Sequence, residues 1–245
     1  MPHPFAAFYR GKRVLVTGHT EFPCGWLVAW LKVLSAQVYA FGPPPATRPN
    51  FFDATLLDRG ITSVFADIRN RNTLAEMFAQ CQPEIVIHNA NHVPMERAFR
   101  DPVEAFSTNL MGTVNVLEEA RLTKSVRAVV IVTSASCYEN RGAALSCREE
   151  DAIGGSDPHC ASLAAVELAA AAYFRSFFQN TSTGIATARM TSVAGGGDWR
   201  ENEVVPDMVR EITGEQQVIV HNGAAIHPLL HVLDASGACL LHDLQ

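Results

Sequence analysis

Short apolar, β-favouring runs recur along the chain at residues 13–17, 37–41, 63–65, 84–88, 128–133 and 184–189. Between them lie longer segments with helical spacing, among them 26–35, 71–80, 102–121 and 162–178. Strands that are apolar at nearly every position are buried on both faces. The pattern therefore predicts an α/β fold with a doubly wound parallel sheet and helices on either side. The first unit sets the organisation: the strand ending in Val16 and Thr17 runs into Gly18, a short turn follows, and an apolar helix opens near Trp26. Nucleotide-binding βαβ units begin this way, with ligands at the carboxyl ends of the strands. Gly42 and Pro43 to Pro45 make a rigid connector, and Gly195, Gly196 and Gly197 mark a loop at the end of a later strand.

At 245 residues, with 48% apolar and 18% charged, the chain can bury a full core. It divides into a dinucleotide-binding-type domain at 1–190 and a remnant lobe at 191–245 packed on the first. A net charge of −6 without a block of Lys or Arg gives no footprint for nucleic acid. Six scattered cysteines without a C-x-x-C pair read as reduced thiols. No run suggests a membrane span or a signal peptide, which makes a cytoplasmic protein the expectation. His88, His92, His221, His227 and His231 share no ligand spacing on one element, so no metal site is expected.

The turn after Gly18 departs from what a phosphate loop needs. A Gly-x-x-Gly-x-x-Gly spacing would place glycine where Glu21 and Cys24 stand. A carboxylate repels a pyrophosphate, and a Cβ at either position holds the backbone away from its oxygens.

Further residues carry a resemblance. Thr17-Gly18-His19-Thr20, Ala66-Asp67-Ile68-Arg69, Thr108-Asn109-Leu110-Met111-Gly112-Thr113, Thr133-Ser134, Cys137-Tyr138-Glu139-Asn140 and Gly195-Gly196-Gly197-Asp198-Trp199 follow one another in order. Along essentially its whole length the chain resembles the CDP-glucose 4,6-dehydratases, sugar-nucleotide enzymes of the extended short-chain dehydrogenase/reductase group. The resemblance implies a Rossmann-like fold with a reduced C-terminal substrate lobe, because members of that family continue beyond the length seen here. It implies NAD or NADP as cofactor, held through Gly18, Thr20, Asp67, Ile68, Asn89, Ala90 and Asn109, with Asn91 in the same loop as Asn89.

The family's reaction needs a Tyr and a Lys four residues apart on one helix, the Lys lowering the phenol's pKa. By the resemblance those positions are His159 and Leu163 here. The Thr133-Ser134 pair survives, but Ala135 and Ser136 stand where the family places an acid and a base that assist elimination. Pro23 replaces a Lys, Thr191-Ser192 a Gly-Asn, and His227 an Arg that would grip the substrate diphosphate. Changes concentrate where cofactor, substrate or a moving proton is touched, while scaffold residues persist. The pattern predicts a catalytically inactive homologue retained as a structural or interaction subunit, with a protein partner or a homo-oligomer rather than a sugar nucleotide as its ligand. Two alternatives follow from the same residues: a divergent NAD-dependent sugar-nucleotide enzyme using His159 as base, and a hydrolase using Ser134 and His159. The Ala-rich segment 161–172 corresponds to a helix that builds a dimer in the related enzymes.

Overall fold

The structure, a computed structural model, describes residues 4–90, 93–139, 147–215, 217–218 and 228–242. Asn91, His92, Asn140, His221 and His227 lie outside the described residues. In chain order the elements are α1 (Pro4–Tyr9), β1 (Arg13–Thr17), α2 (Phe22–Val33), β2 (Gln37–Gly42), α3 (Phe51–Ala54), β3 (Thr62–Phe65), α4 (Arg71–Cys81) and β4 (Ile85–His88). There follow α5 (Met95–Arg100), α6 (Pro102–Ala105), α7 (Gly112–Leu122), β5 (Ala128–Ser134), α8 (Pro158–Tyr173) and β6 (Gly184–Met190). Last come β7 (Ser192–Ala194), α9 (Val204–Thr213), β8 (Leu229–His231) and α10 (Val232–His242).

Six strands form one parallel sheet in the order β3-β2-β1-β4-β5-β6, and β7 pairs with β8 in a second, parallel pair. Alternate residues of β1 explain why its run is apolar throughout. Val14 and Val16 face Leu27, Leu31 and Leu240, while Leu15 joins Phe41, Leu74, Phe78 and Leu117 on the other face. The doubly wound sheet is the one expected, and all six strands fall where the apolar runs lie. Residues 191–245 do not all stand apart from this core. Cys239 and Leu240 of α10 pack in the same cluster as α2, and the Tyr9 hydroxyl donates to the Leu240 carbonyl at 2.8 Å.

Helix boundaries depart from expectation where capping decides them. The second helix opens at Phe22 rather than Trp26, because Pro23 in the first turn gives up an N–H that has no helical partner anyway. The eighth opens at Pro158 rather than at 162, with the Asp157 carboxylate accepting from the Cys160 N–H at 2.9 Å. The segment expected as one helix over 102–121 is broken by a π-helical stretch at Phe106–Met111. That widened turn carries Asn109 into the interior, where it is fully buried.

One segment passes a test of length and composition for a membrane span, yet it belongs to the packed fold. The helical segment Pro158–Phe178, 21 residues with a mean hydropathy of 1.2, is long and apolar enough to cross a membrane by length and composition. Alanine-rich sequence raises its hydropathy although each side chain buries little. In the fold the segment packs against β5 and β6 and holds buried Glu167 in an ion pair with Arg189.

Candidate functional site

The carboxyl ends of β1, β4 and β5 converge on the place where a Rossmann fold binds its ligand. Gly18 takes φ +81, and a Cβ there would meet the Asn89 carbonyl oxygen at 3.0 Å. Only glycine satisfies both conditions. Past it, Thr20 donates to the Pro43 carbonyl at 2.9 Å, and Cys24 is buried with its Sγ 3.6 Å from the Thr17 carbonyl oxygen. Burial pushes the Cys24 thiol well above its ordinary range, so it carries no charge.

Glu21 stands at the N-cap of α2 without a capping hydrogen bond from its side chain. Burial raises its pKa; Arg200 opposes that shift and Asp198 reinforces it. Phe51 presses on the first turn of α2, where a Cβ at Gly25 would meet its ring at 2.6 Å. The space left over the helix end, lined by Thr20, Glu21, Phe22, Asn50, Phe51, Trp199 and Arg200 among others, is about 30 Å³. That is room for about one water. Pro23 also removes one of the backbone donors an anion would use. The residues present do not fit a pyrophosphate.

Asp67 and Ile68, expected to hold the cofactor, have structural work in the fold. Asp67 accepts from the Arg69 backbone N–H at 2.8 Å and pairs with the Arg69 side chain, closing its own turn. The Arg69 hydrogen bonds hold its carboxyl below the usual range. Ile68 is buried on Gly112, where a Cβ would come within 2.6 Å of it.

Asn89, Ala90 and Asn109 meet a buried polar chain that links four elements. The Asn89 and Ala90 N–H groups donate to Thr17 Oγ1 at 3.2 and 3.3 Å. Thr17 Oγ1 lies 2.7 Å from His88 Nδ1, and His88 Nε2 lies 3.0 Å from Thr113 Oγ1. Thr113 spends its proton on the Asn109 carbonyl at 2.6 Å, so it accepts from Nε2–H of His88, and Nδ1 accepts from Thr17. Burial lowers the His88 pKa to about 3 and keeps the ring neutral. The Asn109 side chain continues the chain, donating to Ser162 Oγ at 2.9 Å and accepting from the Val93 N–H at 3.1 Å.

Leu163, expected from the resemblance to stand where the family has a lysine, is fully buried against Cys137, Ala164, Tyr138 and Ile153. His159 is buried at the start of α8 with Nδ1 2.8 Å from the Val93 carbonyl oxygen. Ser134 donates to Ser136 Oγ at 3.1 Å and accepts from the Ser136 N–H, which spends its hydroxyl proton away from an imidazole. Thr133 donates to Glu167 Oε1, whose other oxygen accepts from Thr187 at 2.9 Å and from Arg189 at 3.0 Å. Arg189 also donates to the Tyr138 hydroxyl at 2.8 Å, its guanidinium 4.9 Å from that ring centre. This cluster was missed in sequence. Its only available signal was a Glu in an otherwise apolar alanine helix.

Comparison with known proteins agrees with this architecture. The NAD dependent epimerase/dehydratase family matches residues 14–242. CDP-glucose 4,6-dehydratase of Salmonella typhimurium is 38% identical over 232 residues, 93% of this chain and 65% of that one. UDP-glucose 4-epimerase of Mycoplasma genitalium is 24% identical, over 74% of this chain and 57% of that one. The chain thus spans under two thirds of the length of either relative. Among solved structures, UDP-glucose 4-epimerase of Thermotoga maritima with UDP-glucose superposes with a TM-score of 0.83 at 19% identity, covering 93% of this chain and 72% of that one. The dTDP-glucose 4,6-dehydratase of Bacillus anthracis in complex with NAD gives 0.78 at 20%, covering 93% and 70%.

Proposed function

Because the chain belongs to the NAD dependent epimerase/dehydratase family, we propose that it is a member that has lost hydride transfer and is retained as a structural or interaction subunit. The observation that carries this reading is the crevice over α2, where Glu21, Phe51, Trp199 and Arg200 leave about 30 Å³ for a group that would need several times that space. Buried Leu163 in an apolar pocket agrees with it, since that position can supply neither a charge nor a ribose contact. Residues 191–245 are read as the counterpart of part of a substrate lobe, packed on the domain at 1–190.

The surface for a partner, or for a second copy, is the face formed by α5 to α8, where Phe99, Val103, Met111, Leu168 and Phe177 are exposed. A cytoplasmic location belongs to the same proposal, with Cys24, Cys81 and Cys137 kept as buried thiols. Calorimetry with NAD and NADP at millimolar concentration is expected to give no binding heat. Incubation with CDP-glucose and NAD is expected to give no 4-keto-6-deoxy product. Saturable binding together with that product would overturn the reading.

A further inference from the structure

We propose that the face formed by the loops at the amino ends of the sheet strands is a docking surface for a carboxylate-rich segment of a partner protein. It lies at the opposite end of the sheet from the place the fold provides for a ligand. Hydrogen bonds join the segments there into one surface. The Gly11 N–H donates to the Ser35 carbonyl and the Gln37 N–H to the Lys12 carbonyl, each at 2.8 Å. The Glu84 N–H donates to the Arg13 carbonyl at 2.9 Å, the Arg127 N–H to the Glu84 carbonyl at 2.8 Å, and the Gly184 N–H to the Arg127 carbonyl at 2.8 Å. Lys32 Nζ donates to the Leu57 carbonyl at 3.2 Å and so ties in the turn before β3.

The charge on this surface is opposite in sign to that of the chain. Residues 10–13, 32–37, 57–62, 82–84, 122–128 and 179–184 hold seven basic side chains against two acidic, and they include all three lysines of the sequence. The rest of the chain is left with twelve basic against twenty-three acidic. Glu84 is spent on Lys12 at 2.9 Å and on Arg13 at 3.5 Å. Among the described residues the other cations find no carboxylate: Arg127 donates to the Lys124 carbonyl and to Ser182 Oγ, Lys32 to the Leu57 carbonyl, and Arg10, Arg59 and Lys124 stand exposed. Lys32, in the last turn of α2, also complements the helix dipole. Arg59 and Arg127 stand in loops before β3 and β5, where no helix end accounts for them. Two apolar side chains lie among these cations. Val33 is 80% exposed, the most exposed large apolar side chain among the described residues, and Leu122 is 55% exposed. The surface therefore matches a partner that brings carboxylates and apolar side chains together. A nucleic acid matches it less well, because none of the six segments carries an aromatic side chain for a base to stack on. The acidic remainder of the chain also repels a polyanion that runs past the face.

This inference does not depend on loss of the family reaction, and no dinucleotide enters its test. The probe is a fluorescein-labelled peptide of Glu with interspersed Leu, titrated with the full chain and followed by anisotropy at low and at high sodium chloride. Saturable binding is expected, weakening about tenfold at the higher salt. Arg59→Glu, Lys124→Glu and Arg127→Glu combined, all at exposed positions, should weaken it at least about tenfold while far-ultraviolet circular dichroism stays constant. Val33→Ser, which leaves every charge in place, should weaken it about threefold. Arg48→Glu with Arg100→Glu, outside the face, should leave it unchanged. The proposal fails if the peptide does not bind saturably, if its Gln-for-Glu counterpart binds equally well, or if an oligothymidylate of the same charge binds more tightly. It fails equally if the combined variant binds like the parent, or if the Arg48 and Arg100 pair loses as much as the combined variant.

Discussion

Two polar regions lie near the carboxyl ends of the strands, and they are finished differently. The chain from Thr17 through His88, Thr113 and Asn109 to Ser162 matches each donor to an acceptor, and its hydrogen bonds fix one tautomer of His88. At the α2 terminus, partly buried Glu21 makes no side-chain capping hydrogen bond and lies near a second carboxylate, Asp198. The first region ties β1 and β4 to α7 and α8, so losing any member strands a partner in the core. The second faces the side where a ligand would stand, where the fold needs nothing from it.

The largest effect is expected at the second buried brace. Glu167→Ala strands Arg189 and the Thr133 and Thr187 hydroxyls, and should cost about 3–5 kcal/mol in urea unfolding, against near-neutral behaviour if the cluster is dispensable. His88→Leu should cost about 2–3 kcal/mol by leaving the Thr17 and Thr113 hydroxyls without their shared partner. The pH dependence sharpens the same contrast. His88 titrates at about 3 and His19 at about 4 in the folded chain, both lowered from 6.5 by burial. The unfolded chain therefore takes up protons first, and stability should fall as pH drops below about 6.5 toward those values. Glu21 works in the opposite sense, because its raised pKa favours the folded state at low pH and withdraws that support as pH rises through it. Subtracting Glu21→Gln from the parent melting profile isolates the second slope, and His88→Gln should reduce the first to the share that His19 leaves. The smallest effect is at the exposed turn, where Asp67→Ala should cost about 0.5–1 kcal/mol; a larger loss would give that residue more than a surface role.

Most of the sheet was legible because apolar strands between helical segments leave few other arrangements. The short helices α1, α3, α5 and α9 were not, since four to ten residues carry too little periodicity to separate them from loops. For the site, the sequence and its resemblance pointed to expected substitutions at Glu21 and Cys24 in the turn after β1 and at His159 and Leu163 on α8. What those substitutions do was not legible. Leu163 joins Cys137 and Tyr138, Ser134 turns to Ser136, and Asp67 closes on Arg69, all through contacts that spacing along the chain does not encode.

Sequence by itself determined the parallel α/β architecture and put a carboxylate and a thiol in the turn after β1, because hydrophobic period and residue chemistry are local properties. Only the tertiary structure brought the 195–202 loop, 170 residues beyond Trp26, onto the mouth of α2, and set Arg200 beside Glu21. It also decided that Glu167, alone on an apolar helix, meets Arg189 rather than lipid or solvent. Burial and pairing of charge depend on which distant segments pack together, and that is settled by the whole core at once.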